Sequence, residues 1–188
     1  PWYVLIANAT QQMALFGLMT YFAAYMIESY GWDEANTAPG LALLGVGAVI
    51  GSFAGGFIAG RARRLDWLVT ISLAGGVAAG LVFALGASAW IVVAMAFVAS
   101  MLVSVSMPVQ LTLIMQLAGR SRGTAGGMLS TSNQFGSLVG ASAGGLMLSL
   151  GGYPAVGLLC LVATVLSASV VGLRMRRSPA FQLGGAGT

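Results

Sequence analysis

Residues 47–67 read GAVIGSFAGGFIAGRARRLDW. Gly47, Gly51 and Gly55 recur every fourth residue, so on a helix they form one bare stripe along which another backbone can approach closely. The stretch carries no charge until Arg61, Arg63 and Arg64, which are followed by Asp66 and Trp67. An apolar helix that stops at an arginine cluster reads as a membrane span ending on the cytoplasmic side, because loops rich in Lys or Arg are retained there. The rest of the chain repeats this pattern.

The other basic residues are Arg120 with Arg122, and Arg174 with Arg176 and Arg177. Apolar segments fill the intervals at 2–27, 38–59, 67–85, 90–117, 124–150 and 154–173. Each is close to the ~20 residues that a span requires. Of the 188 residues 58% are hydrophobic and 6% charged, with a mean hydropathy of +0.93. Soluble domains carry roughly a quarter charged residues, so lipid is the expected solvent. Arginine follows the second, fourth and sixth segments. The expected fold is therefore an all-α polytopic membrane protein of six transmembrane helices, multi-pass in the cell membrane, with both termini cytoplasmic. Trp2, Tyr3 and Trp67 would mark the inner interface, and Trp32, Trp90 and Tyr153 the outer one. Residues 1–177 form the expected six-helix half-domain. The tail, 178–188, has too little apolar content to pack and reads as a disordered cytoplasmic extension.

Gly136, Gly140 and Gly144 repeat Gly47, Gly51 and Gly55 at an offset of 89 residues, and Gly145 repeats Gly56. That offset spans three segments. Three is odd, so the second copy would lie inverted in the membrane. The expectation is two inverted three-helix repeats, with both glycine stripes used for helix packing, a build shared by many secondary transporters.

Absences narrow the chemistry. The chain has no His, no Lys and a single cysteine, Cys160. This removes Ser-His hydrolases, His-ligated metal, phosphate-binding lysine loops and Schiff-base chemistry, so no cofactor, no metal and no enzymatic activity are expected. Its four acids, Glu28, Asp33, Glu34 and Asp66, lie in or beside connections. If transport is proton-driven, the carrier group belongs to another part of the protein. The net charge of +4 is topological bias, and no basic soluble face exists for nucleic acid. Pro1 followed directly by Trp2 and Tyr3 reads as a chain that starts at a helix boundary of something longer.

The stretch at 47–67 resembles the glycine-rich helix and basic cytoplasmic loop of the major facilitator superfamily. Residues 119–148, GRSRGTAGGMLSTSNQFGSLVGASAGGLML, resemble the loop and eleventh helix of its drug-efflux-like members. Residues 1–177 as a whole resemble the C-terminal half, helices seven to twelve. The family's loop signature carries an Asp before the arginine turn; here Asp66 follows Arg61, Arg63 and Arg64 instead. The resemblance implies secondary active transport of a small organic solute, directed outward, by alternating access with an N-terminal six-helix half of the same transporter. It also implies a cytoplasmic gate at Arg61, Arg63, Arg64 and Asp66, which otherwise are a plain topology signal. A complete six-span channel or facilitator is the other reading; the aquaporin Asn-Pro-Ala pair is absent.

A solute site would lie near the midplane. Gln11 and Gln12 are about 14 Å along the helix from Trp2, and Asn8 shares their face. Asn133 and Gln134 lie at a similar depth in the fifth segment. Ser104, one turn after Ser100, lies mid-way along the fourth, before Pro108, which should kink that helix. Amides in hydrocarbon are costly unless bonded, so these residues either bond neighbouring helices or face a cavity. The candidate substrate-binding set is Asn8, Gln11, Gln12, Phe16, Ser104, Asn133 and Gln134. Met13, Met19, Tyr21, Met101 and Met107 are candidates for its apolar wall. Thr124 is the expected N-cap of the fifth span.

Overall fold

The computed structural model describes residues 2–59, 65–119 and 121–170. Every element among them is helical, as expected where lipid offers the backbone no partners and each helix must satisfy its own N–H and C=O groups. The helices are α1 (Trp2–Tyr30), α2 (Glu34–Ala59), α3 (Leu65–Ala84), α4 (Ala89–Ser104), α5 (Met107–Ala118) and α6 (Arg122–Val170). Three stretches among the described residues are long and apolar enough to cross a membrane by length and composition: Glu34–Phe57, Ala89–Gln116 and Arg122–Val170. Asn8, Gln11 and Gln12 lower the mean hydropathy of α1 and keep it out of that set.

Two helices contain a breach. α6 runs 49 residues, about 74 Å at helical rise and more than twice a bilayer core. It is not straight: Gly151 (φ −148, ψ 15) and Gly152 (φ 69, ψ −163) leave helical geometry and Pro154 follows. The positive φ at Gly152 suits glycine alone. The kink separates an arm at 122–150 from an arm at 153–170, where the fifth and sixth apolar segments meet. The fourth segment, expected as one kinked helix over 90–117, is instead two, α4 and α5, separated by Val105 and Ser106. Pro108 has no N–H for the Ser104 carbonyl, which interrupts the ladder there.

Two starts differ from expectation. α2 begins four residues earlier than residue 38, because Asp33 caps it: the Asn36 N–H donates to Asp33 Oδ1 at 2.8 Å. α6 begins at Arg122, so Thr124 lies inside its first turn rather than at the cap, and the Ala125 N–H bonds the Ser121 carbonyl at 3.1 Å. Arg61, Arg63, Arg64 and the tail 178–188 lie outside the described residues, as does the side chain of Asp66.

The glycines decide how the helices assemble. On Gly47 an added Cβ would lie 2.6 Å from Ser100 Oγ and 2.7 Å from the Phe97 carbonyl. Gly51 and Gly55 are equally closed, against the carbonyls of Met101 and Val105. The first glycine stripe therefore lies on α4 and its broken end. Gly136 and Gly140 press on the carbonyls of Ala9 and Met13, and Gly144 on the ring of Tyr21. The second stripe therefore lies on α1. The fourth aligned pair diverges: Gly56 meets nothing, while an added Cβ on Gly145 would lie 3.0 Å from Tyr21 Oη. A third seam joins α3 to the second arm of α6, where a Cβ on Gly157 would sit 2.6 Å from the Gly80 carbonyl. Leu18, Phe22, Met26, Val82, Val92, Ala96, Val156 and Cys160 fill the core between these seams.

Candidate functional site

α1 carries three buried amides, and each has a different fate. Asn8 faces the first arm of α6: its Nδ2 donates to Ser132 Oγ at 3.2 Å and to Asn133 Oδ1. Ser132 Oγ in turn donates to the Leu5 carbonyl at 2.7 Å. Gln11 faces the break between α4 and α5. Its Nε2 donates to the Val103 carbonyl and to Ser106 Oγ, and its Oε1 accepts from Gln110 Nε2 at 2.6 Å. Gln11 thus supplies donors to a carbonyl and a hydroxyl at the very point where the α4 ladder stops. Gln12 lies against Gly136, and its Oε1 is buried without a partner. Ser104 Oγ, fully buried, and Gln110 Oε1 share that condition.

The predicted set is thus divided. Asn8 and Asn133 are brought together. Gln11 is bonded on both of its amide atoms, as a helix-bonding residue is. Gln12 and Ser104 present unpaired buried oxygens, which native structures rarely leave without a ligand, water or ion. Phe16 and Gln134 lie on exposed faces of α1 and α6, and Asn133 is half-buried. Of the apolar candidates, Tyr21 packs its ring on Gly144 and donates its Oη to the Ala141 carbonyl. Ser100 donates to the carbonyls of Leu44 and Phe97, both at 2.9 Å. Ser106 and Ser132 were missed in the sequence. Ser132 could have been found as the immediate neighbour of Asn133, and Ser106 as the hydroxyl two residues before Pro108.

The two ends of the bundle differ in chemistry. At one end the connections after α1, after α3 and within α6 gather aromatics. Trp32 and Trp90 meet edge-on at 5.4 Å, and Tyr25 packs on Tyr30, Phe83 and Tyr153. Tyr153 Oη donates to Glu28 Oε2 at 2.7 Å. At the other end Trp2, Ala118, Ser121 and Thr124 border one cleft, and exposed Arg122 follows Ser121 in the chain. No group of His, Cys or acidic side chains that could hold a metal occurs among the described residues.

The sequence profile of the Major Facilitator Superfamily matches residues 4–186, nearly the whole chain. The chain belongs to the Major Facilitator Superfamily. It is a membrane protein of a transporter family, and every element among its described residues is helical. A curated relative, named "Putative transporter AraJ", from Escherichia coli (strain K12), is 29% identical over 159 residues. That match covers 80% of this chain and 38% of the relative, so the chain spans well under two thirds of the relative's length. No solved structure matches this superfamily chain.

Proposed function

We propose that this chain is the C-terminal half of a secondary active transporter, which moves a small organic solute outward by rocking against an N-terminal six-helix half. The observation that carries the reading is an exchange of seams. Gly47 and Gly51 press on Phe97 and Met101 of α4, while Gly136 and Gly140 press on Ala9 and Met13 of α1. The glycines are related by 89 residues and the carbonyls they meet by 88. Each glycine-rich helix therefore lies on the first helix of the other three-helix unit, which is what two inverted repeats of three spans would do. Six spans follow when α4 with α5 is counted as one and the arms of α6 as two. Arg122 at the end of the bundle where α1 begins supports cytoplasmic termini in the cell membrane.

In this reading the solute lies between the halves, against Phe16, Asn133 and Gln134, and draws on the unpaired oxygens of Gln12 and Ser104. Outward transport rests on the likeness of residues 119–148 to efflux members. The test uses the intact transporter with Cys160 replaced by Ser and single cysteines at Phe16 or Gln134. Labelling by a membrane-impermeant thiol reagent should pass from one side to the other when solute is added. Labelling from the same side under all conditions refutes alternating access at these positions.

A further inference from the structure

A cleft of about 170 Å³ opens between the start of α1, the end of α5 and the start of α6. Each helix contributes residues at the bundle end and one about a turn deeper: Trp2 above Leu5, Ala118 above Ile114, and Thr124 with Ala125 above Met128. The deeper level is wholly apolar. Ser121 and Thr124 supply hydroxyls at the mouth, and exposed Arg122 stands between them in sequence. Among the described residues no acidic side chain lines it. Trp2, 67% exposed, sits at this mouth as interfacial tryptophans do at the headgroup level.

We propose that this cleft seats the headgroup-proximal end of one acyl chain of an anionic phospholipid of the cytoplasmic leaflet, with the lipid phosphate at the Ser121 and Thr124 hydroxyls and within reach of Arg122, the residue after Ser121. The polarity gradient carries the argument. A wholly apolar occupant would leave the hydroxyls and the arginine without a partner. A soluble anion would leave Leu5, Ile114 and Met128 uncovered. A phospholipid satisfies both levels at once, and the charge of Arg122 selects an anionic headgroup over a zwitterionic one. Basic pockets between transmembrane helices on the cytoplasmic side take such headgroups, and one arginine near the surface favours an anionic lipid about fivefold. The proposal rests on the membrane orientation given above, but not on solute transport.

The intact transporter, purified in detergent, is offered equal phosphatidylglycerol and phosphatidylcholine, and retained lipid is counted by native mass spectrometry. We expect about fivefold preference for phosphatidylglycerol, reduced to near parity by Arg122→Gln, and loss of the retained lipid in Ala118→Trp, which fills the cleft. Arg122→Gln leaves the cleft walls intact, so the test survives if Ala118→Trp fails to fold. Equal retention of the two lipids overturns the proposal. So does retention that Ala118→Trp leaves unchanged in folded protein, or no retained lipid because the partner half covers the cleft. A parallel uptake assay separates the two readings: lipid selectivity without solute transport keeps this one and removes the other.

Discussion

Gly140→Ala tests the seam between α1 and α6. Its Cβ would stand 2.5 Å from the Met13 carbonyl oxygen and 2.9 Å from Met13 Cα. Ordinary contact begins near 3.4 Å, so the shortfall is about 0.9 Å. The obstacle is backbone, and no rotamer change relieves it. The helices must part, which also loosens Gly136 on Ala9 one turn away and the Asn8 to Asn133 bond two turns away. Over-packing of this kind costs about 1–3 kcal/mol, offset by up to about 1 kcal/mol of helix propensity gained by losing glycine. The expected net loss is about 1–2 kcal/mol. Gly51→Ala, against the Met101 carbonyl, should cost a similar amount. Gly127→Ala, with nothing within 4 Å, should be neutral or slightly stabilising. The assay is thermal unfolding of the intact transporter in one detergent, comparing the three variants. Gly140→Ala matching Gly127→Ala would refute the seam.

Neighbouring amides should respond in opposite ways. Gln11→Met leaves Gln110 Nε2 and the acceptors at the helix break unserved and should cost about 1–3 kcal/mol in the same unfolding assay. Gln12→Met removes an oxygen that has no partner, so it should leave stability unchanged and reduce solute transport in vesicles; unchanged transport would remove Gln12 from the site. At the aromatic end, Tyr153 Oη donates to Glu28, so Tyr153→Phe should lose that one bond and cost about 0.5–1.5 kcal/mol in the unfolding assay; an unfolding temperature equal to that of the native protein contradicts this.

The glycine seams were legible in the sequence because a bare stripe has one structural use in an apolar helix, and its spacing fixes its face. The division of labour among Asn8, Gln11 and Gln12 was not. Their depth and type are nearly the same, so what distinguishes them is the opposing surface. Gln11 meets the Val103 carbonyl and the Ser106 hydroxyl at the break between α4 and α5, and Gln12 meets the bare backbone at Gly136. The start of α2 was missed because Asp33 was read as loop charge rather than as a cap. Thr124 was read as the cap of the fifth span because the glycines around it masked how early α6 begins, at Arg122.

The seams and the polar contacts are not separate devices. Asn133 lies three residues before Gly136 and accepts from Asn8 of the helix that the second glycine stripe lies on. Leu44 lies three residues before Gly47, and its carbonyl accepts from Ser100 of the helix that the first stripe lies on. Leu44 and Asn133 are themselves related by the 89-residue offset. In both seams glycine brings two backbones close enough for a short side chain, Ser or Asn, to bridge them one turn away. The first bridge ends on a main-chain carbonyl, which any residue provides, so Leu44 gives no sequence signal. The second ends on a side-chain amide, so Asn133 does. A polar residue at depth beside such a seam is therefore first a measure of how closely the helices approach. The buried oxygens of Gln12, Ser104 and Gln110 make no bond of that kind, and it is there that the proposed solute reading has to be tested.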